Sequence, residues 1–132
     1  MFPKFLLTCK YTAFRGTKEA FQFDASTVAL VRDMIENGED VKMGIYERGF
    51  LYIPLEHSED IADHELCISS FTKLVEHAGE GHPLVSGFLK YAGDHKAIID
   101  KYGRYPHRNA VLGRESTPEE VTYLETAERF GQ

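Results

Sequence analysis

Hydrophobic positions along this chain recur every three or four residues, the spacing of one helix face rather than the alternation of a strand. Val28, Leu30, Val31, Met34 and Ile35 form such a face behind a start at Asp24, and Gly38 reads as the stop. A short helix is predicted over residues 45–57. Its Phe50, Leu51, Tyr52, Ile53 and Leu55 make it apolar nearly all round, so burial is expected, and Pro54 should kink or end it.

Ser58 then offers an N-cap, with Glu59 and Asp60 in the first turn, where acids favour the helix dipole. Ile61, Leu66, Ile68, Phe71, Leu74 and Val75 carry this helix to about His77, and Gly79, Gly81 and Pro83 break it. A fourth helix is predicted over residues 84–102 from Val85, Phe88, Leu89, Tyr91, Ile98 and Ile99. Gly93 interrupts its pattern, and Gly103 stands where a left-handed residue closes a helix. The last helix has the fullest signal: Thr117 as N-cap, Pro118 at the first position and Glu120 at the third complete a capping box. Val121, Leu124 and Phe130 are expected to point inward, with Gly131 ending the helix.

No strand pair or hairpin dipeptide accompanies these helices. The prediction is therefore an all-α fold of about five or six helices, arranged as antiparallel helical hairpins. No exact repeat marks a regular solenoid. At 132 residues the chain is expected to form one domain, residues 1–132.

Composition narrows the class. Hydrophobic residues make up 42% and charged residues 27%, as in globular proteins. The formal net charge of −6 argues against a nucleic-acid partner. The N-terminal apolar stretch is broken by Lys4, Thr8 and Lys10 and falls short of the roughly 18 to 20 residues of a membrane span. It is also a poor signal peptide. Cys9 and Cys67 form no CxxC pair and read as reduced thiols of a cytoplasmic protein, with Cys67 as core filler.

Two clusters carry candidate chemistry. The first is acidic: His57, Glu59, Asp60, Asp63, His64 and Glu65 around Ser58. Asp60 and His64 lie one helical turn apart, but the spacing matches no strong metal motif, so no metal or other cofactor is assigned. The second lies in HKAIIDKYGRYPHRNAVLGRESTPEE, residues 95–120, which runs from the end of one predicted helix through a long loop into the start of the last. Lys96, Lys101, Arg104, Arg108 and Arg114, with His95 and His107 beside them, make a cationic zone in an acidic protein. Arginine forks suit carboxylate or phosphate, and the following helix N-terminus also favours anions. The competing reading is structural: Arg104, Arg108 or Arg114 pairing with Glu59, Asp60 or Asp63, so that both clusters form one internal network. Asn109 is expected in a turn or left-handed conformation, and Gly113 at a tight bend.

FLYIPLEHSEDIADHE (residues 50–65) and the 95–120 stretch resemble the two signature blocks of a bacterial domain-of-unknown-function family, and FRGTKEAFQFD (residues 14–24) resembles a third. The resemblance implies a tetratricopeptide-like superhelix of α-hairpins, with residues 24–132 as the family-like core and 1–23 as a divergent segment. Family members usually begin with a further helical segment rich in Trp and acids. This chain has no Trp, reads LTCKYTAF where the family reads roughly Asp-Gln-Phe-Pro-Arg-Asn, and carries His64 where the family usually has Gln. The resemblance implies that the N-terminal segment is missing here, which would leave apolar surface for a homodimer to cover.

The functional expectation is a non-enzymatic helical module that binds a protein or peptide, possessing exposed Phe, Leu or Tyr on one helix face. Its rival is a small enzyme or anion-binding protein that uses Arg104, His107, Arg108, Asn109 and Arg114 together with His57, Glu59 and Asp60.

Overall fold

The computed structural model describes residues 17–21, 24–79 and 81–127. Among them are six α-helices and no strand: α1 Asp24–Glu36, α2 Ile45–Glu56, α3 Ile61–Ala78, α4 Pro83–Tyr102, α5 Asn109–Leu112 and α6 Pro118–Thr126. Three 3-10 turns, Lys18–Phe21, Asp40–Lys42 and Pro106–Arg108, complete the order. The all-α prediction with five or six helices is borne out. Cys9, residues 14–16, Phe130 and Gly131 lie outside the described residues.

The described chain falls into two compact units, Asp24–Gly103 and residues 17–21 with 104–127. In the first, α1 ends in a Schellman motif. Gly38 has φ 70°, the Glu39 N–H donates to the Met34 carbonyl at 2.9 Å, and the Gly38 N–H donates to Ile35 at 3.1 Å. Tyr52, fully buried, anchors the loop before α2: its hydroxyl donates to Asp40 Oδ2 and accepts from Arg48 Nε at 3.2 Å. Burial, then the Asp40 carboxylate, pushes the Tyr52 phenol up to about 12.

The core joins Val28 and Val31 of α1, Leu51, Tyr52 and Leu55 of α2, Cys67, Phe71 and Leu74 of α3, and Val85 and Ala92 of α4. Their i, i+3/i+4 spacing is what brings each set to one face. Tyr52 meets Phe71 edge-on, and Leu74 lies beside Gly49, so α2 and α3 run antiparallel. Tyr46 meets His82, and Phe50 meets Phe88, so α2 and α4 lie side by side in the same direction. Gly49 permits that approach, since a Cβ there would stand 2.8 Å from Phe88 Cε2.

Three local expectations are corrected here. Helix α2 is not buried all round: Tyr46 and Phe50 face outward, because a helix cannot turn Phe50, Leu51 and Tyr52 to the same side. The cap of α3 is Asp60, not Ser58. The Asp60 carboxylate accepts from the Ala62 N–H at 2.9 Å, while the Ser58 hydroxyl accepts from the Asp60 N–H at 3.1 Å, an outer layer to the same cap. Helix α4 runs unbroken through Gly93 and starts at Pro83, with the His82 ring as its cap.

In the second unit the predicted long loop is partly helical. Asn109 sits in the right-handed region (φ −57°, ψ −49°), not in a turn or left-handed conformation, and begins α5. Gly113, with φ 68°, makes the bend. The capping box of α6 forms as read: Thr117 accepts from the Glu120 N–H, and Glu120 accepts from the Thr117 N–H. Val121 is exposed rather than inward, and α6 closes at Thr126 with Ala127 extended.

Candidate functional site

The cationic stretch builds a network within the second unit. Arg104 places its fork on Glu120, Nε to Oε2 at 3.0 Å and Nη2 to Oε1 at 2.7 Å, and Nη2 also donates to the Glu115 carbonyl at 2.8 Å. Buried Asn109 donates to Ser116 Oγ at 3.0 Å and Glu120 Oε2 at 3.2 Å. Its carbonyl oxygen accepts from Arg114 Nε at 3.0 Å, and Arg114 Nη2 reaches the Tyr105 carbonyl at 3.1 Å. Arg104, with further help from the Thr117 N–H and Asn109, holds the Glu120 carboxyl at about 2, well below the usual carboxylate range.

Arg108 is buried differently. Its guanidinium stacks between the rings of Phe21 and Tyr105, 4.4 and 4.6 Å from their centroids. His107 is half-buried, its ring 5.4 Å from that of Tyr105. The other members of the cationic list belong to α4 in the first unit. Lys96 pairs with Asp100 one turn on, Lys101 lies over the Tyr102 ring, and His95 is buried.

The acidic cluster is organised by α1. Arg32, which drew no attention as a sequence feature, lays its fork on buried Asp63, at 2.5 Å from Nε to Oδ1 and 2.6 Å from Nη2 to Oδ2. The Ser58 hydroxyl donates to the same carboxylate, and the Arg32 pKa is raised chiefly by this pairing. Asp60 and His64 have separate duties: Asp60 caps the helix, and His64 Nε2 donates to the Ser58 carbonyl at 2.7 Å. His57 closes α2 as its C-cap, and Glu59 is half-buried in the following turn. Among the described residues, no group of three or more His, Cys, Asp or Glu is placed to hold a metal ion.

A buried polar group inside the first unit escaped the sequence reading. Glu56 and His95 lie 3.8 Å apart, Oε2 to Nδ1, and His95 Nδ1 donates to the Tyr91 carbonyl at 2.8 Å. Burial pushes the Glu56 carboxyl up to about 8, so it holds a proton at neutral pH. Burial pulls the His64 imidazole down and pushes the Cys67 thiol up. These groups have the charge states of a dry interior, and Glu56 and His95 are both buried. In the sequence Glu56 stands one turn from Tyr52 on the inner face of α2, where Arg48 is the other buried charged residue.

On the outside of the same unit lies an aromatic face. Tyr46 is 57% exposed and Phe50 55%, one turn apart on α2. Leu84 at 39% and Tyr91 at 42% flank half-buried Phe88 along one stripe of α4.

Among the described residues the chain is all-helical, with an HSED segment capping α3 and an HRN turn leading to a capping box. Residues 9–128 match the family described as bacterial protein of unknown function, DUF924, and the chain belongs to it. It is similar to a solved structure, the protein of unknown function ATU0120 from Agrobacterium tumefaciens, at 36% identity and a TM-score of 0.70. That likeness covers 85% of this chain and 58% of that one, so this chain spans less than two thirds of its neighbour's length. Among curated proteins nothing matches. Among the described residues, no helix is long and apolar enough to cross a membrane.

Proposed function

We propose that this chain is a non-enzymatic binding module that docks a segment of another protein on the aromatic face of α2 and α4. The observation that carries the reading is the pair Tyr46 and Phe50, both more than half exposed on a helix whose other face is fully committed to the core. Large aromatic side chains left in water beside one another are the usual anchors of protein interfaces. Parallel neighbours α2 and α4, each packed against α3, suit a tetratricopeptide-like arrangement, in which such a row lines the binding surface.

The rival anion-binding reading is weakened by occupancy. The Arg104 fork already holds the Glu120 carboxylate, and Arg114 holds Asn109 and Tyr105, so a ligand anion would have to displace an internal one. We assign Arg104, His107, Arg108, Asn109 and Arg114 to a structural clasp that sets the start of α6, and His57, Glu59 and Asp60 to the turn that starts α3. The acidic charge disfavours nucleic acid, and the buried free thiol of Cys67 suits a reducing cytoplasm.

Selection from a random peptide display library tests the docking reading. The wild-type protein should enrich peptides whose binding is lost in Phe50→Asp and Tyr46→Ser. Enriched peptides that bind those folded variants as well as wild type, or an absence of enrichment, would overturn it.

A further inference from the structure

We infer that the occupant of the α2–α4 face is a single basic amphipathic helix, seated with its apolar side against Tyr46, Phe50, Phe88 and Tyr91 and its backbone over Gly87. This deepens the docking reading above and rests on it.

The size of the face selects a helix over a second copy. Side chains of roughly 200 Å² each, about half exposed, make a patch of roughly 400 Å². A stable dimer buries about 800 Å² on each partner, twice as much. One amphipathic helix that offers anchors at i, i+3/i+4 and i+7 matches both the area and the spacing of Leu84, Phe88 and Tyr91.

Gly87 gives the seat its shape. It is exposed, in the second turn of a 20-residue helix, and a Cβ added to it would meet nothing within 4 Å among the described residues. No packing among the described residues asks for glycine there, and glycine weakens a helix interior. It shares the stripe of Leu84, Phe88 and Tyr91, so its missing side chain leaves a furrow between exposed apolar neighbours. Such a furrow admits the close approach of another backbone.

Charge decides the sign of the partner. Between Asp24 and Gly103 stand fifteen Asp and Glu residues against seven Lys and Arg, a formal balance of −8. On α2 the one cation, Arg48, is buried against Tyr52, while Glu47 is exposed. On α4, Lys90 beside the face is paired with Asp94 at 2.8 Å. A unit with a formal balance of −8, with exposed Glu47 on the same helix as Tyr46 and Phe50, attracts a helix flanked by Lys or Arg and repels a second copy of a chain carrying −6.

The test uses two labelled peptides of about 18 residues, five helical turns, with the same leucine face and either lysine or glutamate on the polar side. Fluorescence anisotropy is read on the full chain, alongside sedimentation of the chain alone. The lysine peptide should bind at least about tenfold more tightly than the glutamate peptide, with the gap narrowing in salt. Phe50→Asp should weaken lysine-peptide binding at least about tenfold. Gly87→Leu, which fills the furrow on an open helix face, should do the same while the fold stays at least as stable. Equal binding of the two peptides, lost in Phe50→Asp, would overturn the basic partner but leave the docking reading standing. Binding of neither, or binding indifferent to Phe50→Asp and Gly87→Leu, would overturn both. Self-association that Phe50→Asp abolishes would make the occupant a second copy and overturn the helix assignment.

Discussion

Arg104 grips Glu120 with both edges of its fork while Glu120 caps the helix it begins, its Oε1 accepting from Arg104 and from the Thr117 N–H. One carboxylate thus ties a turn outside α6 to the first turn inside it. Its folded pKa of about 2 lies below the ordinary 4.5, so its contribution to stability is present above pH ~4.5 and is lost as pH falls toward 2. Glu120→Gln should cost about 2 kcal/mol at neutral pH. Urea unfolding midpoints for wild type and variant should converge as pH drops, whereas a gap that holds constant with pH would refute this role.

Glu56 behaves in the opposite sense. Its folded pKa of about 8 lies above the ordinary 4.5, so the folded state holds a proton that the unfolded chain releases. That stability is complete below pH ~4.5 and is lost as pH rises through about 8. Glu56→Gln, which keeps the shape and cannot ionise, should therefore gain on wild type by roughly 5 °C in Tm between pH 5 and pH 9. Thermal melts across that range check it, and parallel curves would contradict it.

The acidic HSED segment should separate into a cap and a charge. Asp60→Ala removes a helix cap and should cost about 1 kcal/mol. Arg32→Ala leaves Asp63 buried with only Ser58 to serve it and should cost about 3 kcal/mol. Arg32→Lys should recover only part of that loss, because an ammonium cannot reproduce the two-pronged contact. Denaturant titration of the three variants measures the order, and equal losses would mean that the Arg32–Asp63 fork carries no special weight.

Cys67 should be inert while the chain is folded. Its thiol is fully buried, donates toward the Tyr52 carbonyl, and is pushed up by burial first and then by Glu56 and Asp63. Iodoacetamide followed by peptide mass analysis should leave Cys67 unmodified in the native protein and alkylate it fully after denaturation. Native labelling at the rate of a free thiol would show that this core opens.

What the chain order alone determined were features that depend on residues within a turn or two of each other. The stop at Gly38, the left-handed close at Gly103 and the Thr117–Glu120 capping box are each set by short-range sterics and hydrogen bonds. Family membership was legible for a related reason, since long contiguous blocks carry it. Tertiary structure decided which charges meet. Arg104 reaches Glu120 across 16 residues, and Arg32 reaches Asp63 across 31, and no spacing rule selects either partner from the many acids available. It also decided which apolar residues stay in water. Phe50 and Leu51 are equally hydrophobic neighbours, yet one lies on the aromatic face and the other in the core, because only the packing of α3 and α4 against α2 defines its inner side.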